Sequence, residues 1–263
     1  MKIALISHPT LDTRRYARIV GSGVLPFPAD YSFERAELQQ TTTSLPLSEV
    51  KLCAPVVPSK IVCVGRNYRA HAAELGNKMP EEPLLFLKAP SALIASEDKI
   101  ELPRASQQVE HEGELGVVIG RTAHALSSDE DPLDYVLGYT CVNDVTARDL
   151  QRKDVQFTRG KSFDTFCPVG PWIETEIDPV NVTVTTRLNG EIKQQGNTAD
   201  MAFPVAFLIR YISEIMTLYP GDLIATGTPA GVSKMKDGDT VEVEVAGIGV
   251  LRNQVVTTFV NGF

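Results

Sequence analysis

Short apolar runs separated by turn residues recur along most of the chain. They lie at 61–64, 84–87, 115–119, 137–142 and 182–188, and all but the run at 84–87 contain β-branched residues. The run at 2–6 has the same character, and 241–245 alternates valine with glutamate, as a half-buried strand does. The pattern predicts a β-rich α/β fold.

A helical spacing is clearest after Asp200. Pro204 lies in the predicted first turn, and Pro220-Gly221 ends the pattern. The apolar residues at helical spacing are Phe207, Leu208, Tyr211, Ile212, Ile215 and Met216. We expect this stripe to pack into the core.

Prolines at positions 46, 55 and 58 predict a boundary near residue 55. Residues 1–55 would form a small N-terminal domain and residues 56–263 the main domain. A chain of 263 residues with 43% hydrophobic content can bury a large core without disulfides.

Charge and cysteine content exclude several classes of protein. The net charge is −8 with dispersed basic residues, so nucleic acid is a poor partner. The four cysteines form no C-x-x-C pair, which fits a reducing cytoplasm. No apolar stretch approaches membrane-spanning length, and no H-E-x-x-H zinc motif is present.

Alternating glutamates provide the first candidate site. Glu110, Glu112 and Glu114 would share one face of a strand that continues into an apolar run. Carboxylates so spaced repel each other when buried, and a divalent cation relieves that repulsion. An exposed strand face is the simpler interpretation, so a metal site needs a further ligand.

Asp144 offers that ligand, because it ends the predicted strand at 137–142 and precedes a plausible helix over 145–151. It could equally be the N-cap of that helix. Three carboxylates without a nearby cysteine favour a hard cation, so we expect Mg²⁺ on Glu112, Glu114 and Asp144, with Mn²⁺ possible.

His71 and Glu74 fall at i, i+3 on a short predicted helix, with Asn67 as its cap and Gly76 as its stop. A carboxylate orients an imidazole and suits it to take a proton from water. An ordinary surface pair is about as consistent with the spacing.

Four further residues are candidates for substrate contacts. Arg148 and Gln151 share a helical face beyond Asp144, where they could meet a substrate carboxylate. Lys161 could offset negative charge on an enolate, and Thr228 lies in a glycine-containing turn suited to a carboxylate. The turn lacks the Gly-Lys-Ser/Thr ending of a phosphate loop.

Five motifs in this order resemble the fumarylacetoacetate hydrolase family. They lie at 60–68 (KIVCVGRNY), 112–115 (EGEL), 143–149 (NDVTARD), 161–163 (KSF) and 220–229 (PGDLIATGTP). The resemblance covers roughly residues 55 to 260. The N-terminal segment is shorter than in the long fumarylacetoacetases, so fumarylacetoacetate itself is a less favoured substrate.

The resemblance implies a mixed β-sandwich roll, a homodimer, and Mg²⁺ on the three carboxylates. It also implies that His71 and Glu74 lie on a lid, that Lys161 faces the enolate, and that Gln151 and Thr228 contact the bound acid. Arg148 is a weaker candidate for substrate contact.

The expected reaction is hydrolysis of a C–C bond in an acylpyruvate-type 2-oxo acid through a metal-bound enolate, with water activated by His71 and Glu74. Two alternatives keep the same enolate: decarboxylation of oxaloacetate, and isomerisation or decarboxylation of 2-hydroxyhepta-2,4-diene-1,7-dioate. A non-catalytic protein that binds metal or a 2-oxo acid is the alternative from another class.

Overall fold

The structure is a computed structural model that describes residues 1–33 and 43–257. Numbered in chain order, its strands are β1 Lys2–Ser7, β2 Arg15–Val20, β3 Gly23–Pro26, β4 Leu45–Pro46, β5 Lys51–Cys53, β6 Ile61–Gly65, β7 Leu84–Lys88, β8 Leu93–Ile94, β9 Lys99–Glu101, β10 Val109–Glu110, β11 Gly113–Ile119, β12 Val136–Asn143, β13 Thr146–Ala147, β14 Cys167–Glu174, β15 Thr183–Leu188, β16 Glu191–Asn197, β17 Leu223–Ala225, β18 Thr240–Val245 and β19 Gly249–Val256. The α-helices are α1 Arg69–Glu74, α2 Arg148–Lys153, α3 Thr158–Lys161 and α4 Val205–Ile215.

The strands form two main mixed sheets. The larger has the order β4-β3-β2-β1-β14-β12-β11-β17-β6-β7, and β5 and β8 pair with β1 and β14 outside that path. The smaller has the order β16-β15-β18-β19-β9. Most neighbours are antiparallel, whereas β17 runs parallel to β6 and β19 parallel to β9. The predicted strands at 2–6, 61–64, 84–87, 115–119, 137–142, 182–188 and 241–245 all coincide with strands of these sheets.

The central strand β11 is buried on both faces along its whole length. Leu115 and Val117 belong to a core cluster that also contains residues of β18 and of α4, whereas Val118 belongs to a different cluster. Because side chains alternate across a strand, Glu114 points to the same face as Val118. This parity directs the carboxylate away from the cluster around Leu115.

Residues 1–33 extend the larger sheet through β1, which pairs with β14 at Lys2 and Ile3. They also contain a small separate cluster of buried residues, formed by Ala4, Ile6, Ala17 and Val24. The boundary near residue 55 stays a prediction. Both predicted domains include residues outside the described part, at 34–42 and 258–263.

Helix α4 begins after Pro204, close to the predicted start. Its buried residues include Leu208 and Ile212, as expected, but Phe207 and Ile215 are 47% and 56% exposed. The expectation that the whole stripe is core was therefore wrong for these two side chains. Among the described residues, no helix has both the length and the apolar character needed to cross a membrane.

Candidate metal centre and its cavity

The strand expected through Glu110, Glu112 and Glu114 is interrupted. β10 ends at Glu110 and β11 begins at Gly113, so Glu112 lies in the link between them. Glu110 points to a different partner, as described below. The expectation that all three glutamates share a continuous strand face was wrong.

Glu112, Glu114 and Asp144 nevertheless converge, with one ligand oxygen from each lying within 4.8 Å of the others. All three side chains are buried. Asp144 follows β12, and its N–H donates to the carbonyl of Glu112 at 2.8 Å, which joins the two segments. Pairing of β11 with β12 brings these distant residues together.

Asp144 does not cap a helix. The predicted helix over 145–151 is β13 at Thr146–Ala147 followed by α2, whose N-cap is Ala147. The Asp144 side chain is therefore not an N-cap, and it lies beside the other two carboxylates. The metal-ligand interpretation is the one that this geometry favours.

Two buried ammonium groups lie against the carboxylates. Lys161 Nζ is 2.8 Å from Glu112 Oε2 and 2.6 Å from Asp144 Oδ2. Lys88 Nζ is 2.6 Å from Asp144 Oδ1 and 3.1 Å from the carbonyl oxygen of Val145. Lys88 was missed by the sequence analysis, because nothing in its local pattern distinguishes it from a surface lysine at a strand end.

Arg148 is held among side chains of the protein. Its Nε donates to Glu110 Oε2 at 2.7 Å, its Nη2 donates to Glu112, and its Nη1 donates to Gln151 Oε1 at 2.6 Å. Arg148 and Gln151 do share a helical face, as predicted. The guanidinium orients Glu112 and fixes the end of Gln151, whereas its contact with substrate stays a prediction.

The carboxylates differ in the charge that surrounds them. Burial favours the neutral form of Glu112, but Lys161 and Arg148 outweigh it and hold the pKa of Glu112 well below its usual range. Burial, with Asp144 and Glu112 close by, holds the pKa of Glu114 well above its usual range. Buried carboxylates whose pKa values are shifted in opposite directions by neighbouring charges are typical of functional sites.

Glu114 shows that the cluster suits a divalent cation. Among the described residues it forms no ion pair, and its Oε2 accepts a hydrogen bond from the N–H of Gly227 at 2.8 Å. A buried carboxylate beside two others is costly without a positive partner. The donor set is all oxygen, which selects a hard cation such as Mg²⁺ or Mn²⁺.

The turn at 226–229 supplies the N–H that reaches Glu114. Gly227 has φ +101°, a conformation that favours glycine. Next to it, Thr228 Oγ1 donates to the carbonyl of Gly113 at 2.8 Å and accepts from Gln194 Nε2 at 2.7 Å. Thr228 lies at the cavity, as predicted, although its hydroxyl is also part of this structural network.

Gln194 links several parts of the site and was also missed by the sequence analysis. Its Oε1 accepts from the N–H of Gly113 at 3.0 Å and lies 3.0 Å from His111 Nδ1. His111 Nε2 lies 2.8 Å from Ser233 Oγ. His111 is fully enclosed, and burial lowers its pKa although the Gln194 hydrogen bond opposes that shift. Its role is to support the link between β10 and β11.

His71 and Glu74 lie on α1 and form the expected pair, with His71 Nδ1 3.2 Å from Glu74 Oε2. The N–H of Gly231 donates to the other oxygen of Glu74 at 3.0 Å. The predicted cap was wrong: Tyr68 is the N-cap of α1. Asn67 instead uses its side chain to hold the backbone of 203 and 226.

These groups surround one cavity of about 380 Å³. Its lining includes every residue predicted for the site except Glu74, namely His71, Glu112, Glu114, Asp144, Arg148, Gln151, Lys161 and Thr228. Further lining residues comprise an apolar group, Val64, Leu75, Leu84, Phe86 and Phe157, and a polar group that includes Arg66 and Arg152. The structure therefore brings the predicted site residues together, while their individual roles stay predictions.

Comparison with known proteins identifies the family. The family model for the fumarylacetoacetate (FAA) hydrolase C-terminal region matches residues 60–256. An uncharacterized protein of Methanocaldococcus jannaschii is 54% identical over 217 residues, which cover 82% of this chain and 89% of that protein. Oxaloacetate tautomerase YisK of Bacillus subtilis is 46% identical over 224 residues, which cover 80% of this chain and 74% of that protein.

The crystal structure of 2-hydroxyhepta-2,4-diene-1,7-dioate isomerase from Mycobacterium marinum has a TM-score of 0.89 with this chain at 42% identity. The match covers 98% of this chain and 99% of that one. The predicted β-rich mixed fold is thereby confirmed, as is the expectation of an enzyme rather than a non-catalytic binding protein. The converging carboxylates, the fold and the sequence matches together show that the chain belongs to the fumarylacetoacetate hydrolase family of metal-dependent enzymes.

Proposed function

We propose that this chain is a Mg²⁺-dependent enzyme that interconverts the enol and keto forms of a short 2-oxo acid, with oxaloacetate as the substrate to test first. The observation that carries the proposal is the convergence of Glu112, Glu114 and Asp144 in one cavity with Lys161 and His71. The names of the relatives support it, since both describe isomerisation of an acid with oxygen at carbon 2.

The three carboxylates would hold the ion, which when bound supplies a Lewis acid that favours negative charge on the 2-oxo oxygen. Lys161 adds a fixed positive charge next to them. Burial alone would lower the pKa of Lys161, but Asp144 and Glu112 outweigh it and raise the pKa above its usual range. Lys161 therefore stays protonated and acts by electrostatic stabilisation rather than as a base.

His71 is the remaining candidate for moving the proton. Its Nδ1 faces Glu74 at 3.2 Å, so a neutral ring that donates Nδ1–H to Glu74 has its free lone pair on Nε2. Nε2 can take a proton from carbon 3 of the keto form, which leaves the enolate, and deliver that proton to the 2-oxygen to give the enol; the reverse transfers convert the enol to the keto form. The Gly231 N–H holds Glu74 in place for this role.

The test is the rate of enol–keto conversion of oxaloacetate, followed by ultraviolet absorbance with Mg²⁺ and with EDTA. We expect EDTA to abolish the activity and His71→Ala to reduce kcat by about 100-fold or more. The matched control is His124→Ala, since His124 is exposed, lies outside the cavity lining and pairs its Nδ1 with Thr217 Oγ1 at 3.1 Å. A wild-type rate no higher than that of Mg²⁺ in buffer would refute the proposal.

A second candidate is the hydrolysis of an acylpyruvate, which the His71–Glu74 pair favours because an oriented imidazole also suits activation of water. Acetylpyruvate with Mg²⁺ would yield acetate and pyruvate. In the same panel, release of CO₂ from oxaloacetate measures decarboxylation. We expect His71→Ala to reduce acetylpyruvate hydrolysis much more than decarboxylation, because only hydrolysis needs an activated water; equal losses would remove the assignment of His71.

A further inference from the structure

The cavity contains two cationic side chains that the proposed reaction does not use. Arg148 and Lys161 are paired with the carboxylates of the metal centre. Arg66 and Arg152 also line the cavity. Among residues 1–33 and 43–257, no hydrogen bond or ion pair is found for either of these two guanidinium groups.

Among the acidic residues that line the cavity, the one nearest to Arg152 along the chain does not neutralise Arg152. Asp154 lines the cavity too, but both of its oxygens accept from Arg159, at 2.7 Å and 2.5 Å. Of the carboxylates of the metal centre, Asp144 and Glu112 have Lys88, Lys161 and Arg148 as partners, and the bound cation would neutralise Glu114. Among the described residues, the acids of the cavity therefore leave Arg66 and Arg152 without an ion-pair partner.

Arg66 is held in an unusual backbone conformation. Its φ is +57°, which is uncommon for a residue other than glycine and persists only where the surroundings impose it. The next residue, Asn67, is buried and bonds to Thr226 O at 2.8 Å and to the N–H and carbonyl of Phe203. These contacts anchor the chain just after Arg66, a half-buried residue that lines the cavity.

We infer that Arg66, assisted by Arg152, binds the distal carboxylate of a 2-oxo dicarboxylate whose other end lies at the metal centre. The inference rests on the proposed function and names its substrate class. Guanidinium is suited to this role because it presents paired N–H donors to a carboxylate. Leu84, Phe86 and Phe157 supply apolar wall for the short carbon chain between the two ends.

The experiment compares oxaloacetate with its 4-ethyl ester, which keeps the 2-oxo acid but has a neutral tail. The readout is kcat/KM for oxaloacetate divided by kcat/KM for the ester, measured in wild type, Arg66→Met and Arg152→Met. We expect Arg66→Met to lower the ratio by about 10- to 100-fold, the loss of a charge-assisted hydrogen-bonded pair, and Arg152→Met to lower it less because Arg152 is exposed. Arg66→Lys should retain part of the preference.

Matched controls are Arg69→Met and Lys153→Met, which remove one positive charge each from exposed positions outside the cavity lining. Inhibition by oxalate, which has no tail, should be similar in all variants. An unchanged substrate ratio in Arg66→Met, or an oxalate inhibition constant that rises as much as the ratio falls, would overturn the inference while leaving the proposed function intact. Absence of wild-type turnover with either substrate would overturn the proposed function and the inference with it.

Discussion

Replacing Lys88 by methionine tests how the buried charges of the metal centre are balanced. Lys88 is 1% exposed, and its Nζ lies 2.6 Å from Asp144 Oδ1. Methionine keeps most of the volume of the lysine stem, so the principal change is loss of the ammonium. Breaking a buried pair by removing one partner costs about 3–5 kcal/mol, because the other charge is left uncompensated.

Asp144 retains Lys161 at 2.6 Å, so we place the expected loss at the lower end, about 3 kcal/mol. For a domain of this size, that loss corresponds to a fall in Tm of roughly 6–12 °C. The assay is equilibrium unfolding in urea with EDTA present, which keeps both proteins metal-free and reports the free energy of unfolding.

The control is Lys51→Met, because Lys51 forms an exposed pair with Asp98 at 3.5 Å. Exposed pairs of this kind contribute about 0–1 kcal/mol. A double-mutant cycle of Lys88→Met with Asp144→Asn measures the coupling directly, and we expect the double variant to be less destabilised than the sum of the single ones. Equal, small losses for Lys88→Met and Lys51→Met would refute the claim that Asp144 depends on Lys88.

Three further predictions concern the metal, a close backbone approach and the thiols. Glu114→Gln should weaken Mg²⁺ binding by about tenfold or more in calorimetry, since it removes a charged ligand. The control Glu191→Gln, at an exposed position, should leave the affinity unchanged. Equal Mg²⁺ affinities of the two variants would exclude Glu114 as a ligand. Gly231→Ala should lower the free energy of unfolding by more than Gly238→Ala does. A Cβ at 231 would lie 1.9 Å from the carbonyl oxygen of Lys193, whereas the space at 238 is open. Both positions have positive φ, so equal losses of stability would contradict the steric argument. Burial raises the pKa of Cys141 and Cys167 to about 12, and that of Cys63 well above its usual range, so their thiolate fraction is very small at neutral pH and rises only as the pH approaches those values. Mass spectrometry after iodoacetamide treatment at pH 8 should find these three labelled only in denaturant, and rapid labelling of the native protein would contradict the burial.

Local patterns were sufficient for most of the strands that carry the site. Short apolar runs between turn residues, β-branched in β6, β11 and β12 but not in β7, predicted these four strands, because strand formation depends mainly on the alternation and bulk of nearby side chains. Helix ends were predicted less well. Asn67 and Asp144 have side chains that can act as N-caps, but each bonds instead to partners that are distant in the sequence.

The candidate site divides in the same way. Glu112, Glu114, Asp144 and His71 were candidates by residue type and spacing, each with an ordinary structural interpretation beside it, and the resemblance to the family joined them with Lys161 into one predicted site. Lys88 and Gln194 were missed, since a single lysine at a strand end or a glutamine in a polar strand has no local signal. Their partners lie 56 and 83 positions away in the chain.

The sequence by itself determined which chemical groups are available: hard oxygen ligands, an imidazole with a carboxylate at i, i+3, and a β-rich framework to hold them. Only the tertiary structure decided how the charges pair. Glu110 binds Arg148 rather than joining the other glutamates, Glu114 has no cationic partner in the part of the chain that the structure describes, and Arg66 lines the cavity. The physical reason is that periodicity is a local property, whereas the burial and pairing of a charge depend on strands brought together from distant parts of the chain.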